Sequence, residues 1–260
     1  MISVLQLGTL DYATGLRLQK TLVELRHSGQ IENVLLLLEH TPVITLGRNA
    51  DQRNVVASAE LLRQKGVELF ECDRGGDVTY HGPGQLVGYP IFDLRSFPSP
   101  NGQRKTIGAV EYVRRLEEVL IRTCADFGVA TGRIKGLTGV WTMPTTCRRE
   151  AAKVAAIGVH ISRGITSHGF ALNVNTDLEH FNLIVPCGIA TKPVTSLSKQ
   201  TGGAMSLDAA AESVARNFGR VFNSQILWLE TLDALLGRTV GVPLKEPEVR
   251  KLHKDETSLA

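Results

Sequence analysis

The sequence predicts a single α+β domain built on mixed or antiparallel sheet, and three observations carry the prediction. Apolar runs of strand length come first, then one long amphipathic helix, more strands and another helix. The chain shows no internal repeat, and no linker long enough to divide it. With 260 residues, 43% hydrophobic and 21% charged, the composition is that of a globular domain large enough for a substantial core. The domain is expected over residues 1–223, followed by a C-terminal extension over 224–260 that ends in a mobile polar tail.

Taken in order, residues 2–8 alternate like a strand, and Asp11 offers an N-cap to a helix ending near Ser28 and Gly29. NVLLLLEH (33–40) and TPVITLGR (41–48) read as buried strands, with Pro42 placed where a missing N–H is tolerated. Ser58 and Gly66 bracket a short helix, and 67–73 is a strand. After the glycine-rich stretch 74–90, strand character continues to residue 94 and 97–105 is a surface loop. Ile107 to Phe127 has the three- and four-residue apolar spacing of an amphipathic helix. GVWT (139–142) is a short strand, and 153–161 and 165–175 form a hairpin in which Gly164 takes a positive φ. Asp177 starts a short helical piece, 181–197 is irregular, and Ser206 caps a helix running to about Asn223. QILWLETLDALLG is apolar enough to pack, whereas 245–260 is a solvated tail.

Several function classes drop out early. A net charge of +3 supports no nucleic-acid or membrane partner, and no apolar run reaches membrane-span length. The N-terminus lacks a signal peptide's basic flank, so a cytoplasmic protein is expected. Cys72, Cys124, Cys147 and Cys187 are too scattered for a zinc site or disulfide framework. Neither G-x-x-x-x-G-K-[ST], a strand-to-helix G-x-G-x-x-G, nor G-x-S-x-G is present.

RGGDVTYHGPGQLVGYP (74–90) places five glycines between apolar runs, so backbone there must turn tightly or approach something closely. Tight hairpin turns alone would also account for it. Cys187, in V-P-C-G, sits in irregular chain where a thiol is either a structural core group or an accessible nucleophile. Cys72 and Cys124 fit structural roles, and Cys147 is an exposed bystander. Lys153 opens an otherwise apolar strand, and either snorkels to solvent or faces a cleft as a proton shuttle. His81, His160 and His168 lack metal-ligand spacing and suit pocket lining.

Three segments in this order, RGGDVTYHGPGQLVGYP, KVAAIGVHISRGITSHGFALNV and FNLIVPCGI, resemble the signatures of the lipoyl(octanoyl) transferases. Those acyltransferases are related in fold to the biotin and lipoate protein ligases. The resemblance runs from about Leu5 to Leu197. It implies an enzyme that carries an octanoyl group from acyl carrier protein to a lysine of lipoyl domains, in 2-oxoacid dehydrogenase E2 subunits and the glycine cleavage H protein. It implies Cys187 as the acyl-thioester nucleophile and Lys153 as its partner. It further implies an acyl pocket lined by Arg74, Gly75, Gly76, Asp77, Val78, Thr79, Tyr80 and His81, by Ala156, Ile157 and Gly158, and by Gly169, Phe170 and Ala171. A monomer needing neither metal nor nucleotide is expected.

The residue types suit that chemistry. A thiolate can take the acyl group and an amine can then displace it, with an ammonium on Lys153 favouring the thiolate and a neutral Lys153 accepting the amine's proton. Glycines let backbone N–H groups approach an oxyanion. Small residues such as Gly158 and Ala171 would admit the chain, so Gly158→Val is expected to exclude octanoyl while sparing shorter acyl groups. Two segments depart from the family pattern: 142–152 is longer than the usual hairpin, and the chain after Asn223 is an addition. Arg148 and Arg149 could meet an acidic carrier protein or form a solvated basic loop. Two rivals stay open, an ATP-dependent lipoate or biotin ligase on the same fold and a non-catalytic carrier.

Overall fold

A computed structural model describes residues 1–99, 106–144, 150–186 and 192–236. Cys147, Arg148, Arg149, Cys187, residues 245–260, expected as a solvated tail, and most of 97–105, expected as a surface loop, lie outside the described residues.

In chain order the elements are β1 (Ile2–Leu10), α1 (Tyr12–His27), β2 (Asn33–His40), β3 (Val43–Leu46), α2 (Ala59–Gln64), β4 (Glu68–Glu71), β5 (Val78–His81), β6 (Gln85–Ile91) and α3 (Ala109–Asp126). There follow β7 (Thr131–Ile134), β8 (Leu137–Thr142), β9 (Lys153–Ser162), β10 (Ile165–Asn173), α4 (Leu197–Thr201), α5 (Leu207–Phe222), β11 (Ile226–Leu229) and α6 (Leu232–Leu236). The helices begin where side chains can satisfy their first free N–H groups. Asp11 accepts from the Thr14 N–H at 2.8 Å, Ser58 from Leu61 at 3.2 Å, and Ser206 from Ala209 at 3.1 Å.

Eight strands form one mixed sheet in the order β11-β1-β2-β6-β10-β9-β8-β7. β1 runs parallel to both β2 and β11, and the other pairs are antiparallel. Both faces are covered, which explains the unbroken leucine run of β2. Leu35 and Leu37 pack with Tyr112 and Leu116 of α3 and Phe218 of α5, while Val34, Leu36 and Leu38 pack with Leu18, Leu22 and Leu25 of α1. Strand alternation assigns neighbours to opposite cores, so polar residues have no place between them.

A second sheet, β4-β3-β5, has its own core. Ile44, Leu46, Val78 and Tyr80 pack on Leu62 of α2 and on Phe181, Leu183 and Ile184. It is tied to the large sheet where the Gly75 N–H donates to the Val159 carbonyl at 3.0 Å. The space between the sheets becomes the site.

The β9–β10 hairpin turns through Arg163 (φ 50°) and Gly164 (φ 86°), so both central residues, not Gly164 alone, are left-handed. Residues 197–201, at the end of a segment expected to be irregular, form the short helix α4. β7 and β11 were not expected as strands. β11 pairs with β1, placing Ile226 opposite Ile2, and Leu232 is buried beside α1. Among the described residues no helix is long and apolar enough to cross a membrane.

Candidate active site

The R-G-G turn enters the gap between the sheets, where Arg74 sets its geometry. The guanidinium is buried, with Nη2 donating to the Thr45 carbonyl at 2.6 Å, Nε donating to Thr45 Oγ1 at 3.1 Å and Nη1 to the Gly75 carbonyl at 3.1 Å. Gly76 turns the chain at φ 91°, a conformation open to glycine. Beneath this turn lies a cavity of about 50 Å³. Arg74, Gly75, Gly76, Asp77, Thr79, His81, Ala156, Ile157, Gly158, Gly169, Phe170 and Ala171 all line it. So do Tyr12, Val87, Tyr89 and His168. Since one water-sized group needs roughly 10–15 Å³, this is a narrow bore and not an open cleft.

Besides the Arg74 guanidinium and the Asp77 carboxyl, its imidazoles are tied to neighbours. His81 Nδ1 lies 2.7 Å from Gln85 Oε1, and Gln85 Nε2 donates to Asn173 Oδ1 at 2.9 Å and the Tyr80 carbonyl at 3.2 Å. That network assigns the His81 proton to Nδ1. Burial pushes His81 down to about 3 and His40 down to about 4. His40 Nδ1 faces the Leu10 carbonyl at 2.9 Å, so its Nε2 accepts from the Tyr89 hydroxyl at 2.6 Å. His168 sits at φ 54°, its N–H donating to Gln19 Oε1 at 2.7 Å and its Nε2 2.7 Å from Asp73 Oδ1. Burial lowers the His168 pKa, and Asp73 opposes that shift.

Lys153 begins β9 and is 7% exposed. It stands opposite Trp141 of β8, its ammonium 4.8 Å from the indole centroid. It lines a second, smaller cavity of about 10 Å³ with Asn173, Phe181, Pro186 and Val194. Thr79, Ala156 and Ala171 line both cavities, so the two adjoin across these residues as an outer and an inner chamber. Pro186 is the sequence neighbour of Cys187, which lies outside the described residues. The chain on either side of that segment is held by hydrogen bonds. Before it, Val185 N–H donates to the Asn54 carbonyl at 2.7 Å, and Asn54 Nδ2 donates to Asp77 Oδ2 at 2.5 Å. After it, Lys153 N–H donates to the Pro193 carbonyl at 2.8 Å, Thr195 N–H to the Lys153 carbonyl at 2.9 Å, and Asn173 Nδ2 to the Thr195 carbonyl at 2.9 Å.

Residues 11–219 match the family model described as the lipoyl protein ligase A/B catalytic domain. The chain is 59% identical to an octanoyltransferase of Koribacter versatilis over 260 residues, all of both chains. It is 62% identical over 238 residues to an octanoyltransferase of Acidobacterium capsulatum, covering 91% of this chain and 96% of that one. The chain belongs to the octanoyltransferases of the lipoyl protein ligase A/B family. The bipartite lipoate protein ligase of Thermoplasma acidophilum shares the fold, with a TM-score of 0.67 at 17% identity over 98% of this chain and 93% of that one. So does a lipoate-protein ligase A solved with ATP, at a TM-score of 0.66 and 16% identity over 98% and 95% of the two chains. Relatives at high identity are octanoyltransferases, which disfavours the ATP-dependent alternative.

Two of the residues expected in this octanoyltransferase's pocket lie elsewhere. Val78 and Tyr80 face the small core, where Tyr80 stacks on His180 with centroids 4.9 Å apart and meets Phe181 at 5.6 Å. Side chains alternate along β5, so only Thr79 and His81 can look into the bore. Gly158 lines the cavity as expected and also packs under the R-G-G turn. A Cβ there would come 2.7 Å from the Gly75 carbonyl and 3.3 Å from Arg74 Cδ, so the missing side chain makes room for the R-G-G turn. Val87 and Tyr89 were legible as alternate residues continuing the motif into β6, whereas Tyr12 comes from a distant helix with no local signal.

Proposed function

We propose that this octanoyltransferase takes an octanoyl group from acyl carrier protein and passes it to the lysine of a lipoyl domain through a thioester on Cys187. The observation that carries this reading is Lys153, a buried cation in the inner chamber that Pro186 also lines, at the end of a narrow apolar-walled bore. The octanoyl chain occupies the bore and its carbonyl carbon stops beside Lys153.

In the first half-reaction the Cys187 thiolate attacks the donor thioester carbonyl, forming a C–S bond and an oxyanion. Collapse breaks the bond to the carrier's sulfur, which leaves as a thiol with the proton of the Lys153 ammonium. In the second, the acceptor amine attacks the Cys187 thioester. Neutral Lys153 takes the amine's proton, the Cys187 thiolate departs and the amide is formed. Protons and charges return to their starting places after each cycle. Acceptors are lipoyl domains of the kind found in E2 subunits and the glycine cleavage H protein.

The test is intact mass of the protein incubated with octanoyl-acyl carrier protein and no acceptor. A single octanoyl adduct, removed by hydroxylamine and absent from Cys187→Ala, is expected. Transfer that needs ATP, or an adduct surviving in Cys187→Ala, would overturn the reading.

A further inference from the structure

Lys153 and Trp141 form a cross-strand pair whose geometry does more than fill the core. Lys153 of β9 pairs with Trp141 of β8 at a register shift between Val140 and Trp141, and its side chain lies against both Gly139 and Trp141. The lysine stem passes Gly139, where a Cβ would stand 3.5 Å from Lys153 Cε and 3.8 Å from Cδ. Beyond it, the ammonium meets the indole face at 4.8 Å. Trp141 is 1% exposed, and its Nε1–H finds no hydrogen-bond partner among the described residues. A buried indole normally pairs that donor, so this ring is oriented by what its face touches and not by its edge. β8 itself is pinned from behind. Fully buried Glu117 accepts from the Gly139 N–H at 3.2 Å and from Arg114 and Arg133 at 2.7 and 3.0 Å.

We propose that Trp141 is a positioning residue for the reaction, holding the charged head of Lys153 over its indole face in the inner chamber. The pair supplies direction as well as contact, because a cation is drawn to the ring's centre and a neutral amine much less. The inference rests on Lys153 being the partner of Cys187.

The experiment is a graded series of fluorinated tryptophans, incorporated into full-length protein carrying Trp228→Phe, which removes the other, half-exposed tryptophan. Fluorination weakens the negative face of the ring while changing its volume little. The rate of acyl-enzyme formation should fall stepwise with each added fluorine, to roughly 3- to 30-fold below the unfluorinated protein, the range of a desolvated cation–π contact. Trp141→Phe should keep most of the rate and Trp141→Leu should not. Independently of catalysis, the Lys153 ε-methylene protons should show a ring-current shift by NMR that Trp141→Leu removes. A flat fluorine series with no ring-current shift, while Lys153→Met is inactive, would overturn this inference alone. Full activity in Lys153→Met would overturn the parent reading and this one with it.

Discussion

The outer chamber of the bore and the Lys153 chamber share Thr79, Ala156 and Ala171, yet they are stabilised by different physics. Around the outer chamber His40 and His81 are buried, turned to hydrogen-bond partners and held neutral, the Arg74 guanidinium is bound to Thr45 and the Gly75 carbonyl, and the rest of the wall is largely backbone, glycine and aromatic ring. At the inner chamber a cation is buried against an indole, with the chain on both sides of Cys187 fastened to β9, β10 and the 51–54 turn. An acyl chain carries no charge to recognise, so shape suffices in the first place. Acyl transfer moves protons and creates an oxyanion, so placed charge is needed in the second.

The sharpest way to break the comparison is to remove the charge. Lys153→Ala should lower octanoyl transfer by roughly 10²- to 10⁴-fold, the range of general acid–base catalysis, with an unchanged circular dichroism spectrum. A loss under tenfold would show that the inner chamber does not depend on its cation. Next comes the constriction common to both chambers. Ala171→Val should reduce octanoyl transfer about 10- to 100-fold while leaving butanoyl transfer within a few-fold, because only the longer chain passes the shared residues. Gly158→Val, by contrast, should weaken all chain lengths alike, since it displaces the Gly75 carbonyl. Equal chain-length profiles for the two variants would remove the distinction between throat and scaffold.

Smaller in effect is acidification. His40 and His81 have folded pKa values of about 4 and 3, below the ordinary histidine value near 6.5, so the unfolded chain binds more protons between these limits. Their contribution is intact above about pH 6.5 and lost as pH falls towards 4 and 3. Urea unfolding at pH 5 should therefore show of order 1–2 kcal/mol less stability per histidine than at pH 7.5, and a His81→Gln variant should flatten part of that slope. The smallest expected effect is at the outer rim. Asp73 is 63% exposed at the side chain, so Asp73→Asn should change unfolding free energy by less than about 1 kcal/mol despite its 2.7 Å contact with His168.

Much of this was legible one residue at a time. Asp11, Ser58 and Ser206 marked helix starts because an N-cap is a local interaction between a side chain and N–H groups up to three residues away. The leucines of β2 announced a sheet buried on both faces. Twelve of the fourteen expected pocket residues line the bore, and the two that do not, Val78 and Tyr80, follow from recognising V-T-Y-H as a strand instead of a turn. β7 and β11 escaped because TGRI and ILWL are four-residue strands whose pairing is supplied by partners elsewhere in the chain.

By itself the sequence determined the fold class, the family and the candidate residue types, because periodicity, capping and motif order are properties of neighbouring residues. Only the tertiary structure decided which side of β5 faces the bore, that Tyr12 helps to line it, and that Lys153 rests on Trp141. Those facts depend on strand register and on the packing of helices against sheets, contacts between residues far apart in sequence whose geometry no local pattern encodes.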